Sequence, residues 1–316
     1  MRSLLGALLA VVVATGLAAC SGPVSPSGAL PAPAGTQADP QPTATSGLES
    51  AVERVTDGAP LPAEWWDPGL IVSDANFFDA DSMTAEEIDR FLAEQVPVCE
   101  HWHEQSGRES DSGWPYLCLK DRTWDVPDLD VVGDGGWRYC DPVPATRRAT
   151  SGEVISIIAT ACGISPEVLI VTLEKEQGLV TDRWPWQSQF DAAMGYACYD
   201  SAPCVDAYQG FVGQVYHAAR SYQMYVQRPE LFNYQPYQEN AILYAPGCEA
   251  GMVMIRNAAT AALYDYTPYQ PNAEIIAGRG GDGCDAYGNY NFWRLWFFWF
   301  GDPVADDPAQ ARIWAR

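Results

Sequence analysis

Ser165-Pro166-Glu167-Val168-Leu169-Ile170-Val171-Thr172-Leu173-Glu174-Lys175-Glu176-Gln177-Gly178 is the stretch that organises the reading of the chain. Ser165 is an N-cap residue, and Pro166 suits the first helical turn, where its missing N–H would have no intrahelical partner anyway. Gly178 lacks the Cβ that penalises the left-handed turn ending a helix. Between these stops Val168, Leu169, Ile170, Val171 and Leu173 make the segment apolar on nearly all sides, which predicts a buried central helix. Two carboxylates close it. At about 100° per residue, Glu174 and Glu176 stand about 200° apart. Glu176 shares its face with Leu169, Thr172 and Leu173. A carboxyl in that place, at the mouth of a cleft, is partly desolvated, the condition under which a carboxyl acts as a general acid near neutral pH.

Other helices are expected around this one. Ser151 to Ala161 precedes it and stops at Gly163. Tyr208 to Val226 is amphipathic, Ile255 to Tyr264 follows, and Asn291 to Phe300 is strongly aromatic. The last has about half the apolar length needed to span a bilayer and reads as a core helix. Further upstream, Thr84 and Glu87 form a capping box before the apolar residues Ile88, Phe91 and Leu92. Residues 97–150 carry many Gly, Pro, Asp and Trp and read as loop-rich.

The N-terminus reads as an export signal. Arg2 precedes the apolar run Leu4 to Gly16, which is too short for a transmembrane helix. It ends in Leu17-Ala18-Ala19-Cys20, which resembles the bacterial lipobox; that implies a lipidated Cys20 as the mature N-terminus. Ser21 to Ser46 is rich in Pro, Ala, Ser, Gly and Thr and cannot bury enough apolar surface to fold. As a flexible tether it spans about 28 Å on average.

The chain has 9 Cys. Beyond Cys20 an even number remains, which in an exported domain reads as disulfides. The sequence fixes no connectivity. The expectation adopted is sequential pairing: Cys99–Cys118, Cys140–Cys162, Cys198–Cys204 and Cys248–Cys284. No C-x-x-C occurs and there are 3 His, so no metal site is expected, and His101-Trp102-His103 is not read as one. The Asp282 to Asn289 segment has calcium-type oxygen ligands but reads as a cysteine-stapled turn. A net charge of −23, from 41 acidic and 18 basic residues, argues against nucleic-acid or anionic-membrane binding.

The run Val168 to Val180, with Glu176-Gln177-Gly178 at the end of its helix, resembles the catalytic-helix motif of the lysozyme-like superfamily, which includes lytic transglycosylases and muramidases. Those families end an apolar helix in Glu-Ser-Gly, and the resemblance implies that Glu176, not Glu174, is the catalytic acid. Phe190-Asp191-Ala192-Ala193-Met194-Gly195-Tyr196 looks like the loop that lines the sugar cleft there, although Met194 precedes the glycine. Tyr208 to Val215 opens an amphipathic helix, as in those domains. Ile242-Leu243-Tyr244 and Ala261 to Tyr269 look like the tyrosine-bearing segments that close the cleft. Residues 150–301 also resemble secreted bacterial proteins described only as lysozyme-like or haemagglutinin-like.

The resemblance implies a mainly α, lysozyme-like helical domain over 150–302. Before it come a signal peptide (1–19), a lipidated linker (20–60) and a loop-rich, disulfide-stapled segment (61–149); a tail (303–316) follows. The implied substrate is the glycan strand of peptidoglycan, with no cofactor, a monomeric state, and membrane contact only through the lipid anchor outside the cytoplasm. Asp191 is the candidate second carboxylate, with Asp200 the other acidic group nearby. Hydrolysis needs such a group, whereas a transglycosylase uses one glutamate as acid and then base. Gln177, Met194, Tyr196, Gln214, Tyr244 and Tyr266 are the expected substrate contacts, and Trp184, Trp186 and Tyr269 are further aromatic candidates for sugar stacking. A non-catalytic wall-binding or adhesive lipoprotein is the alternative.

Overall fold

A computed structural model describes residues 61–100, 117–198, 204–281 and 283–305. Cys20, the leader and linker, His101, His103, Asp200 and the tail from residue 306 lie outside the described residues.

The helix quoted above is α4 in the order α1 (Asp74–Phe77), α2 (Ala85–Gln95), β1 (Thr123–Val126), β2 (Thr146–Thr150), α3 (Ser151–Cys162), α4 (Pro166–Gln177), α5 (Gln187–Asp191), α6 (Phe211–Gln227), β3 (Gln238–Leu243), β4 (Ala250–Ile255), α7 (Ala258–Tyr266), α8 (Ala273–Ile276) and α9 (Gly288–Phe300). The Ser165 hydroxyl caps α4 by accepting from the Glu167 N–H, and Gly178 ends it at φ 65°. Val168 to Val171 and Leu173 are wholly buried. Each such side chain stabilises the core by roughly 1.5–3 kcal/mol. Helices α3, α6 and α9 pack around this one or its neighbours.

The expectation of a mainly α domain is corrected here. The structure is mixed, 45% helical and 12% strand, with two small antiparallel sheets. One sheet pairs β1 with β2; the other is the β3–β4 hairpin. In the hairpin Asn240, Ile242, Val253 and Ile255 point inward while Ala241, Leu243, Met252 and Met254 are exposed. This is the two-residue alternation of a half-buried strand, and no helical period could accommodate it. Among the described residues no single helix is long and apolar enough to cross a membrane.

The main hydrophobic core draws on residues from Leu61 to Phe300, and Val96, Cys99 and Cys118 form a small second cluster. Residues before α3 are built into the main core. The Ile71 N–H donates to Thr260 Oγ1 (3.0 Å), the Asn257 amide donates to the Val72 carbonyl (2.7 Å), and the Tyr264 hydroxyl donates to the Pro68 carbonyl (3.0 Å). Trp66 meets Tyr290 and Trp293 edge-on. The four disulfides join Cys99 to Cys118, Cys140 to Cys162, Cys198 to Cys204 and Cys248 to Cys284, so the pairing is sequential.

Candidate functional site

The two carboxylates at the end of α4 are both buried, and their surroundings differ. Glu174 accepts from the Val180 and Thr181 N–H groups (3.0 Å each) and from the Thr181 hydroxyl (2.6 Å). It closes the turn that begins at Gly178. Burial pushes its pKa up to about 7 against these hydrogen bonds, which pull the other way. Its partners are all within the protein, so its role is to hold the helix end.

Glu176 is 7% exposed and forms an ion pair with Lys175. The same ammonium donates to Thr267 Oγ1 (2.8 Å) and lies 5.3 Å from the centre of the Tyr266 ring. The Tyr266 hydroxyl donates to the Met194 carbonyl, and its ring stacks on Tyr222 at 4.6 Å. Tyr222 and Thr172 of α4 share a hydrogen bond (3.2 Å). The end of α4, the Met194 loop and the end of α7 therefore meet around one carboxylate.

Gln214 holds that loop from α6. Its side-chain oxygen accepts from the N–H groups of Met194 (3.2 Å) and Tyr196 (2.9 Å). Its amide donates to the carbonyls of Tyr196 and Tyr208 (2.9 Å each). A buried amide with all of these bonds made fixes the loop rigidly. Gly195, at φ 67°, supplies the left-handed residue the loop needs. Tyr196 stacks on His217 at 5.3 Å, and Tyr208 meets the same imidazole at 4.6 Å. Burial, with Arg220 nearby as the lesser cause, lowers the His217 pKa to about 4, so its ring is neutral at physiological pH.

Of the sequence-derived candidates, Glu176, Met194, Tyr196, Gln214 and Tyr266 come together. Asp191 sits at the end of α5, three residues before Met194, where Gln187 donates to its carboxylate (2.9 Å). The Gln177 carbonyl accepts from Gln189 (2.8 Å), so the backbone at this position anchors α5. Tyr244 lies at the β3–β4 hairpin, with its hydroxyl 2.6 Å from where a Cβ on Gly251 would sit. Only a glycine at 251 lets it approach so closely. The residues missed from sequence are Lys175, Thr267 and Tyr222. The available signal was the Glu-Lys-Glu run itself, because a cation at the end of a buried apolar helix requires a partner.

The one group of possible metal-binding side chains among the described residues is Cys99, Cys118 and Asp121. Its two sulfurs are joined in a disulfide and offer no thiolate.

The fold and this cluster define a disulfide-stapled, mixed α and β domain whose carboxylate site is built from three segments. Residues 70–263 match the family model of the LasA N-terminal domain, more than half of the chain, and the protein belongs to that family. No curated protein and no solved structure matches it significantly. Family membership and four disulfides mark it as an extracellular or secreted protein.

Proposed function

We propose that this protein is a lipid-anchored, extracytoplasmic enzyme that cleaves peptidoglycan glycan strands, with Glu176 as general acid and then base. The observation that carries this reading is the convergence on Glu176 of the Met194 loop and the Tyr266 segment. These are the segments that the resemblance to lytic transglycosylases and muramidases assigns to a sugar cleft. Membership of the LasA N-terminal family is compatible with a protein that works at the cell wall. In the chemistry, the Glu176 carboxyl gives its proton to the glycosidic oxygen as the bond to the anomeric carbon breaks. In the transglycosylase route the carboxylate then takes the proton of the muramyl C6 hydroxyl as that oxygen closes a 1,6-anhydro ring. Hydrolysis would instead use Asp191, at the end of α5, as the second carboxylate.

The test is digestion of purified wall by wild type and Glu176→Gln, with products separated by mass. Anhydro-muropeptides from wild type alone support the proposal, and equal release by both proteins overturns it. Lipidation is checked by labelled palmitate, with Cys20→Ala as the unlabelled control.

The ion pair between Glu176 and Lys175 favours a second reading, a wall-glycan binder without turnover. It predicts saturable retention on insoluble peptidoglycan and no soluble muropeptides.

A further inference from the structure

Lys175 and Arg220 are the two buried cations among the described residues. Lys175 has Glu176 and the Thr267 hydroxyl as partners. Arg220 has neither an ion pair nor a hydrogen bond among the described residues, and its Nε is a buried donor with no acceptor. This occurs in a chain with a net charge of −23, where a carboxylate partner could have evolved easily. Burying a cation without an anionic partner is unfavourable, so what stands around Arg220 bears on its role.

What surrounds it is ordered. The guanidinium lies 5.0 Å from the centre of the Tyr139 ring. Tyr139 is stacked nearly parallel to Trp137, at 6.5 Å and 10°. Arg228, the residue just past the end of α6, lies 4.7 Å from the Trp137 ring on the same ladder. Arg228 already pairs with Glu230, leaving Arg220 as the free end. Beside that end stands Gly133. Its backbone, at φ −80° and ψ 178°, is open to any residue, so conformation does not demand glycine there. Space does: a Cβ at 133 would lie 3.0 Å from Arg220 Nη2 and 3.3 Å from the Tyr139 ring. The bare backbone leaves beside Nη2 the space that a side chain at 133 would fill.

The geometry points to Arg220 as a binding site for a ligand carboxylate, received by its guanidinium over the Tyr139 ring and past Gly133. A planar fork of donors matches a carboxylate in two parallel hydrogen bonds. A singly charged group also suits the site better than a dianionic phosphate, which the acidic chain as a whole repels more strongly. Such carboxylates occur both on acidic sugars and at peptide C-termini. The assignment stands whether or not the Glu176 cluster is catalytic.

The full chain is titrated with N-acetylmuramic acid and with N-acetyl-D-alanyl-D-alanine, following tryptophan fluorescence and heat. N-acetylglucosamine is the neutral control and inorganic phosphate the competing anion. Saturable binding of one carboxylate probe is expected, and the probe that binds identifies the source as sugar acid or peptide. Arg220→Met and Gly133→Ala should each weaken it at least tenfold. Arg220→Met should also leave Tm close to wild type, since among the described residues the charge it removes has no ion pair and the methionine side chain still packs on the Tyr139 ring. Gly133→Ala keeps the test alive should Arg220→Met fold poorly. Failure of both carboxylates to bind wild type, undiminished binding by Gly133→Ala, or tighter binding of phosphate than of either carboxylate overturns the assignment.

Discussion

The Tyr266 hydroxyl donates to the backbone carbonyl of Met194, a bond that closes 72 residues of chain. It ties the end of α7 to the loop that follows α5, and both flank Glu176. With Gln214, which bonds Met194 and Tyr196 from α6, it fixes the loop from two helices.

Tyr266→Phe is therefore expected to keep the fold and loosen the loop. The ring and its stack on Tyr222 remain, while one buried carbonyl loses its donor at a cost of about 1–3 kcal/mol. Thermal unfolding should show that loss, and wall cleavage, if Glu176 performs it, should fall further than the stability change accounts for. Activity retained at the wild-type level would show that the Met194 loop does not shape the site.

Gln214→Leu removes two acceptor and two donor contacts at once. Leucine fills much the same volume, so the loss falls on unsatisfied backbone groups, at roughly 3 kcal/mol or more in total. Hydrogen exchange should show the Met194 and Tyr196 amides losing protection while the amides of α4 keep theirs. Unchanged protection at 194 and 196 would contradict the clamp.

Much of this was legible in the sequence because local signals carried it. Ser165, Pro166 and Gly178 bound α4, and the capping box of Thr84 and Glu87 starts α2. Helices α3, α6, α7 and α9 lie within a few residues of their expected bounds. The β3–β4 hairpin was hidden because its buried faces are short and Gly251 breaks the apolar pattern. The Lys175–Glu176 pair was missed because adjacent residues on a helix do not face each other. A long lysine stem at the last turn escapes that rule. Arg220 was hidden too, since a lone cation on an amphipathic helix looks like a solvated one.

Helices α2 and α3 cross at Gly152. A Cβ there would lie 2.4 Å from the Ala85 carbonyl oxygen and 2.5 Å from Asp89 Oδ1. Asp89 also receives hydrogen bonds from the Gly152 N–H (2.8 Å) and the Thr150 hydroxyl (2.6 Å). Gly152→Ala gains up to about 1 kcal/mol in helix propensity. Forcing the helices apart costs about 1–3 kcal/mol, and displacing Asp89 adds the loss of two charge-assisted bonds. The collision wins, so Tm should fall. A rise in Tm would mean that the crossing is looser than the structure has it.

Glu174 makes stability depend on pH in a direction opposite to ordinary acid unfolding. Folded, its carboxyl keeps a proton up to about pH 7; in the unfolded chain it titrates near its ordinary value of 4.5. Between those values the folded state binds the extra proton, so stability falls as pH rises through the window and is fully present below about 4.5. The loss is on the order of 3 kcal/mol. Asp265, raised from 3.8 to about 7 by burial, acts in the same direction. His217, lowered to about 4, acts against both, since its contribution is lost as pH falls from about 6.5 to 4. Glu174→Gln isolates one of the three. The amide oxygen can still accept from the Val180 and Thr181 N–H groups, and its nitrogen can donate to the Thr181 hydroxyl oxygen. The variant should be close to wild type in Tm at pH 4.5 and increasingly more stable than wild type as pH approaches 8. A difference in Tm between the two proteins that stays constant from pH 4.5 to 8 would show that Glu174 titrates alike in the folded and unfolded chains.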